Sequence, residues 1–186
     1  MPSKKSNGMI LSTAVVIMYM VFTYFFLSYM FSNGLLFSIK ADDYDLSVKF
    51  LCDFILGLSI VLIIILVYVV RKKPLDELGL RLKSPFVSIG LLVLYMALFI
   101  ARGDFTARGF YTAFFYLIVI AFSEEFVYRG FLYTAWENNY GFWIAAIVSG
   151  ALFGIPHAFI PSIVGGGNVF IAMLTLQRSV YKFYKQ

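Results

Sequence analysis

Long uncharged apolar runs alternate with short polar ones along the chain, at a spacing that a bilayer sets. The apolar runs cover residues 9–31, 50–70, 86–101, 109–136 and 142–157. A helix rises 1.5 Å per residue, so about 20 apolar residues cross a hydrocarbon core of about 30 Å. Each run is therefore read as a membrane-spanning helix. A last apolar run, 158–177, is broken by Pro161 and by Gly165, Gly166 and Gly167, and is read as a sixth crossing with a helix break inside it. Between the runs lie turn and loop signals: the Asp-rich stretch 32–49, the loop RKKPLDELGLRLKSP from Arg71, the short segment around Asp104, and Asn138-Asn139-Tyr140-Gly141. The pattern predicts an all-α, polytopic transmembrane helical bundle of about six spans, with residues 1–186 forming a single membrane domain.

Composition narrows this further. The 186 residues are 61% hydrophobic and 13% charged, against about 25% charged in a soluble domain. The net charge of +5 is no nucleic-acid signature, because the basic residues sit in short segments between apolar runs. There they set topology. The N-terminal tail, the 71–83 loop and the C-terminal tail hold ten Lys and Arg, while the 40–49 and 102–108 segments hold four. The positive-inside rule then predicts both termini in the cytoplasm. The first run has a signal-like basic start. At 23 residues, however, it exceeds a signal peptide's apolar core of roughly 7–15, and it reads as an uncleaved span. Cys52 is the only cysteine, which precludes an intramolecular disulfide and suits a small buried side chain. His157 is the only histidine, which excludes the H-E-x-x-H zinc signature.

Against this background the sequence FSEEFVYRGFL, 122–132, stands out. It sets Glu124, Glu125 and Arg129 inside a predicted span. An intramembrane charge costs about 3 kcal/mol or more, so it needs a partner, a water-filled cavity or a function. Glu125 and Arg129 are four apart with the glutamate first, the favourable order for a helical ion pair. Glu124 is rotated about 100° from Glu125. One glutamate can be held by Arg129 while the other faces a cavity as a general base. The pair is expected to be buried.

A second polar group lies across the predicted turn at Asn139. Glu124 precedes that turn by 15 residues and His157 follows it by 18. The two fall roughly 23 Å and 27 Å from the turn along antiparallel helices, within the reach of a kink at Pro156. Phe153, four residues before His157, shares its helix face and can pack under the imidazole. A carboxylate and an imidazole at one depth form a constellation able to activate water.

The two motifs, S-E-E-F-V-Y-R-G and F-G-I-P-H, resemble the E-E-x-x-x-R and F-x-x-x-H motifs of the CAAX protease and bacteriocin-processing (CPBP, or Abi) intramembrane proteases. The motif region covers about 110–160, with L-G-L-R at 78–81 as a weaker echo. The resemblance implies an intramembrane endopeptidase acting on membrane-associated peptides, prenylated or bacteriocin-like, in a bacterial cell membrane. It implies Glu124 and His157 as catalytic residues, with Glu125, Arg129 and Phe153 supporting them. A divalent metal such as zinc is the cofactor it suggests, with Glu124 and His157 as candidate ligands. The family's third motif, H-x-x-x-N or H-x-x-x-D, has no counterpart: no histidine follows residue 157, and Asn168 is the only later asparagine. A truncated, weakly active or incomplete enzyme is therefore expected, with backbone N–H groups near Gly165–Gly167 or Asn168 as substitute oxyanion donors. Two other classes compete. One is a catalytically incomplete relative serving in bacteriocin self-immunity or partner binding. The other is a small transporter subunit using the carboxylates and His157 as an ion relay, which lacks the repeated broken helices of transporters.

Overall fold

A computed structural model describes residues 4–36, 45–78 and 85–174. Among them no strand occurs, and the helices form a bundle. Five are long and apolar enough to cross a membrane. They are α1 (Lys4–Ser32), α2 (Leu46–Val70), α3 (Pro85–Arg102), α4 (Ala107–Tyr140) and α5 (Phe142–Gly165). A short α6, Val169–Leu174, comes after them. The predicted sixth run is thus divided. Its first part extends α5 to Gly165, and Gly166 ends that helix in the left-handed conformation, φ 63°, which a residue without Cβ adopts at little cost. Its second part forms α6, and the end of the run, 175–177, lies outside the described residues.

Local chemistry fixes the helix boundaries. Asp45 caps α2, its carboxylate accepting from the N–H groups of Ser47 and Val48 at 2.7 and 3.2 Å. Thr106 caps α4 through Gly109 N–H at 3.1 Å. The Thr106 hydroxyl and N–H both donate to Asp104, and these bonds hold its carboxyl below the usual carboxylate range. The turn between α4 and α5 is tighter than the four-residue signal predicted. Helix persists to Tyr140, and Gly141 alone breaks it, at φ 78°.

The core gathers Val16, Met20 and Leu27 of α1, Ile60 and Ile64 of α2, and Phe126, Val127 and Leu132 of α4. Leu132 and Val16 are fully enclosed. Leu78, the one described residue of the L-G-L-R echo, is also buried, and it lies on α4 where Gly130 leaves room. A Cβ at Gly130 would overlap the Leu78 carbonyl. Cys52 is buried and free, as expected of a small apolar filler. α3 has no buried residue, and joins the bundle through Tyr95, whose hydroxyl donates to the Ala113 carbonyl at 2.6 Å.

Two helices depart from the 3.6-residue repeat assumed from sequence. Phe54–Leu58 in α2, and Phe115–Phe122 and Glu125–Tyr133 in α4, have the wider i→i+5 turn. Wide turns are uncommon and concentrate at functional sites. Here they flank Glu124 on both sides.

Candidate active site

Glu124 stands between the two wide stretches of α4. It lines a cavity of about 510 Å³ together with His157. α1 contributes Tyr19 and Thr23 to the wall, α2 contributes Lys49 and Asp53, and α5 contributes Phe153 and Pro156. At Pro156 the helix tightens to a 3₁₀ turn, Ile155–Ala158, which carries His157. The carboxylate and the imidazole thus share one space.

The state of His157 follows from its hydrogen bond. Nδ1 lies 3.0 Å from the Phe153 carbonyl oxygen. A carbonyl oxygen only accepts, so Nδ1 carries the proton, and a neutral ring keeps its lone pair on Nε2. Phe153 also packs edge-on against the imidazole, ring centroids 4.7 Å apart at 61°. Its other neighbour is Tyr128, at 5.3 Å and 76°. Three rings therefore run from α4 to the histidine.

Glu125 and Arg129 form the ion pair that their spacing predicts, Oε2 to Nε 3.2 Å. The pair is not buried, contrary to expectation: the side chains are 58% and 76% exposed. The reason is the direction of the α4 face. Both residues line a second cavity, about 460 Å³, that lies against Phe142, Ala146 and Gly150 of α5. Glu124, Tyr128 and Phe153 line both cavities, so Glu124 stands where the two meet. Glu124 has no hydrogen bond or ion pair of its own among the described residues.

The residues that sequence reasoning missed lie on the α2 wall. Lys49 Nζ donates to both carboxylate oxygens of Asp53, at 2.7 and 2.6 Å. The Tyr111 hydroxyl also donates to Asp53, and the ammonium sits 4.7 Å from the centre of the Phe115 ring. Lys49 and Asp53 are each 5% exposed. The signal is a Lys-x-x-x-Asp spacing at the start of an apolar run, the same i,i+4 rule applied to Glu125 and Arg129. It is masked because the apolar run starts at Phe50, which leaves Lys49 in the polar segment before it.

Tyr128 was missed as well. It is buried, yet its hydroxyl has no hydrogen-bond partner among the described residues, and it is not sealed from the cavities. The groups proposed near Gly165 as oxyanion donors stand away from Glu124. Gly167 N–H donates to the Ser162 carbonyl at 3.0 Å, and Asn168 Oδ1 accepts from Phe170 N–H at 2.8 Å. Neither Gly165–Gly167 nor Asn168 lines either cavity.

The donor set does not fit a catalytic zinc site. Such a site takes three protein ligands, and among the described residues no three of His, Cys, Asp and Glu converge. Two acceptors remain, the Glu124 carboxylate and His157 Nε2, with two hydroxyls in the shared wall that have no partner among the described residues, Tyr128 and the buried Thr23 Oγ1.

No curated protein and no solved structure matches the chain. In the segment that carries both motifs, residues 106–183, it matches the family model of type II CAAX prenyl endopeptidases, Rce1-like, as a member of the CAAX protease and bacteriocin-processing family does.

Proposed function

We propose that the chain is an intramembrane endopeptidase that hydrolyses membrane-associated peptides with a water activated by Glu124. The observation that carries this reading is the cavity shared by Glu124 and His157, with Glu124 free of the Arg129 pair that holds its neighbour. Glu124 and His157 Nε2 accept hydrogen bonds from the two O–H groups of one water. Its oxygen attacks the peptide carbonyl carbon, and the departing proton goes to Glu124. The C–N bond then breaks, and Glu124 returns that proton to the leaving amine nitrogen. Neither acceptor can stabilise the oxyanion formed in between. The Tyr128 hydroxyl is the donor we assign to it. Its position where the two cavities meet supports this.

The substrate is amphipathic. The α5 wall of the smaller cavity, Phe142, Ala146 and Gly150, suits an apolar or prenylated side chain, while the cavity that holds His157 takes the peptide backbone. The excess of Lys and Arg in the 71–83 loop over the 40–49 segment supports a cytoplasmic N-terminus, and hence a His157 cavity whose Lys49–Asp53 wall faces the opposite leaflet.

The test is hydrolysis of a prenylated peptide by the purified chain in ¹⁸O-labelled water. One label in the new carboxylate is expected. Tyr128→Phe should slow turnover by about 10²–10³-fold, the usual loss for one oxyanion donor. No cleavage by the folded wild-type chain over a panel of prenylated and unmodified apolar peptides would overturn the reading.

A further inference from the structure

A third cavity shares no residue with the two that meet at Glu124. It holds about 650 Å³ between α1, α2 and α4. Its walls are apolar: Leu11 and Val15 of α1, Ile63 and Val67 of α2, and Phe131 of α4. One end is charged, with Arg71, Lys73 and Glu77. Arg71 directly follows Val70, where α2 ends, so these charges stand at the depth of lipid headgroups. Ile63 is eight residues deeper, about 12 Å along the helix. Lys73 is held at the rim, its ammonium 5.4 Å from the Tyr68 ring centre. The Arg71 guanidinium has no partner among the described residues.

An apolar trough with a cationic end is complementary to one class of molecule, a lipid with acyl chains and an anionic headgroup. We propose that this groove is a binding site for an anionic glycerophospholipid, with its phosphate on Arg71 and Lys73 and an acyl chain along Ile63, Val67 and Leu11. A zwitterionic lipid has no net attraction to that end. Glu77 subtracts one charge, so the net charge at the end is +1. Each unit of charge at this depth is worth about a fivefold preference for an anionic over a zwitterionic lipid.

Trp136 reports on the groove. It follows Ala135 in the groove wall, and its indole N–H donates to Thr13 of α1 at 2.9 Å. Trp143, the other tryptophan, is exposed, and Trp143→Phe leaves Trp136 as the sole tryptophan fluorophore. The experiment reconstitutes the full chain with this substitution into phosphatidylcholine vesicles. These are titrated with phosphatidylglycerol or phosphatidylcholine whose acyl chains are brominated, and the quenching of Trp136 is read. The site predicts an approximately fivefold preference for the phosphatidylglycerol. Glu77→Gln should raise it to about 25-fold, and the Arg71→Gln, Lys73→Gln pair should abolish it. Lys72→Gln, the neighbouring cation that does not line the groove, should leave it within about twofold. Equal quenching by both lipids overturns the proposal. So does an equal loss with Lys72→Gln, which would mean diffuse surface attraction, or displacement by millimolar inorganic phosphate, which would mean an anion site that takes no lipid.

Discussion

Replacing Asp53 by Asn separates a buried ion pair from the rest of the fold. In the wild type the Lys49 ammonium makes two bonds to Asp53, at 2.6 and 2.7 Å, with each residue 5% exposed. Asp53→Asn keeps the shape and removes the charge, so Lys49 is left without a counter-ion in an apolar wall. Breaking one partner of a buried pair costs about 3–5 kcal/mol. The Phe115 ring still faces the ammonium, and the cavity admits some solvation, so the lower end of that range applies. A loss of about 3 kcal/mol shifts the folding equilibrium by roughly 150-fold. Lys49→Met should cost a similar amount, because it strands Asp53 with Tyr111 as its remaining donor. Replacing both by apolar residues, Lys49→Met with Asp53→Leu, should recover most of the loss, since a buried pair contributes little net stability over a packed apolar one. The assay is reversible unfolding in mixed micelles, where wild type, Asp53→Leu, Lys49→Met and the Lys49→Met, Asp53→Leu protein form a double-mutant cycle and Asp53→Asn is read beside it. Single variants within about 0.5 kcal/mol of wild type would refute the reasoning. So would a double variant as unstable as the sum of the singles, which would show the two side chains to be uncoupled.

Three further outcomes are expected. Glu125→Gln and Arg129→Leu should destabilise less than Asp53→Asn, because their pair opens onto a cavity and leaves neither group enclosed; unfolding in the same micelles ranks them. Gly130→Ala should cost about 1–3 kcal/mol despite the better helix propensity of alanine, because its Cβ forces the Leu75–Leu78 turn away from α4; a melting temperature equal to wild type would contradict that packing. A cysteine placed at Asp76 on a Cys52→Ala background should be labelled only after the membrane is permeabilised, and labelling in intact cells would invert the topology.

The helices were legible in the sequence because the bilayer leaves so little choice. Backbone polar groups must be satisfied within each segment, so an apolar run of sufficient length is a helix. The i,i+4 rule gave the Glu125–Arg129 contact, and the ring of Phe153 under His157. Burial was not legible, because it depends on which neighbour covers each face. Glu125 and Arg129 read as buried from an apolar flank, yet α5 leaves them lining a cavity. Lys49 reads as a loop cation, yet α2 begins at Leu46 and carries it inside the bundle. Removing it from the loop count sharpens the charge asymmetry on which topology rests. The wide turns around Glu124 have no mark in the residue pattern, since a continuous apolar run is compatible with either helical repeat. Tyr128 lies within the motif itself. Only the packing of α4 on α5 reveals that its hydroxyl is left without a partner among the described residues.

The two adjacent glutamates have different partners, and their substitution tests the proposed chemistry most directly. Glu124→Gln preserves size and removes the only base that faces both cavities, while Glu125→Gln removes the partner of Arg129. Peptide cleavage by the purified, folded chain should fall by about 10²–10⁴-fold in Glu124→Gln, the usual contribution of a general base, with its unfolding midpoint unchanged. Cleavage at the wild-type rate by a folded Glu124→Gln protein would contradict the account.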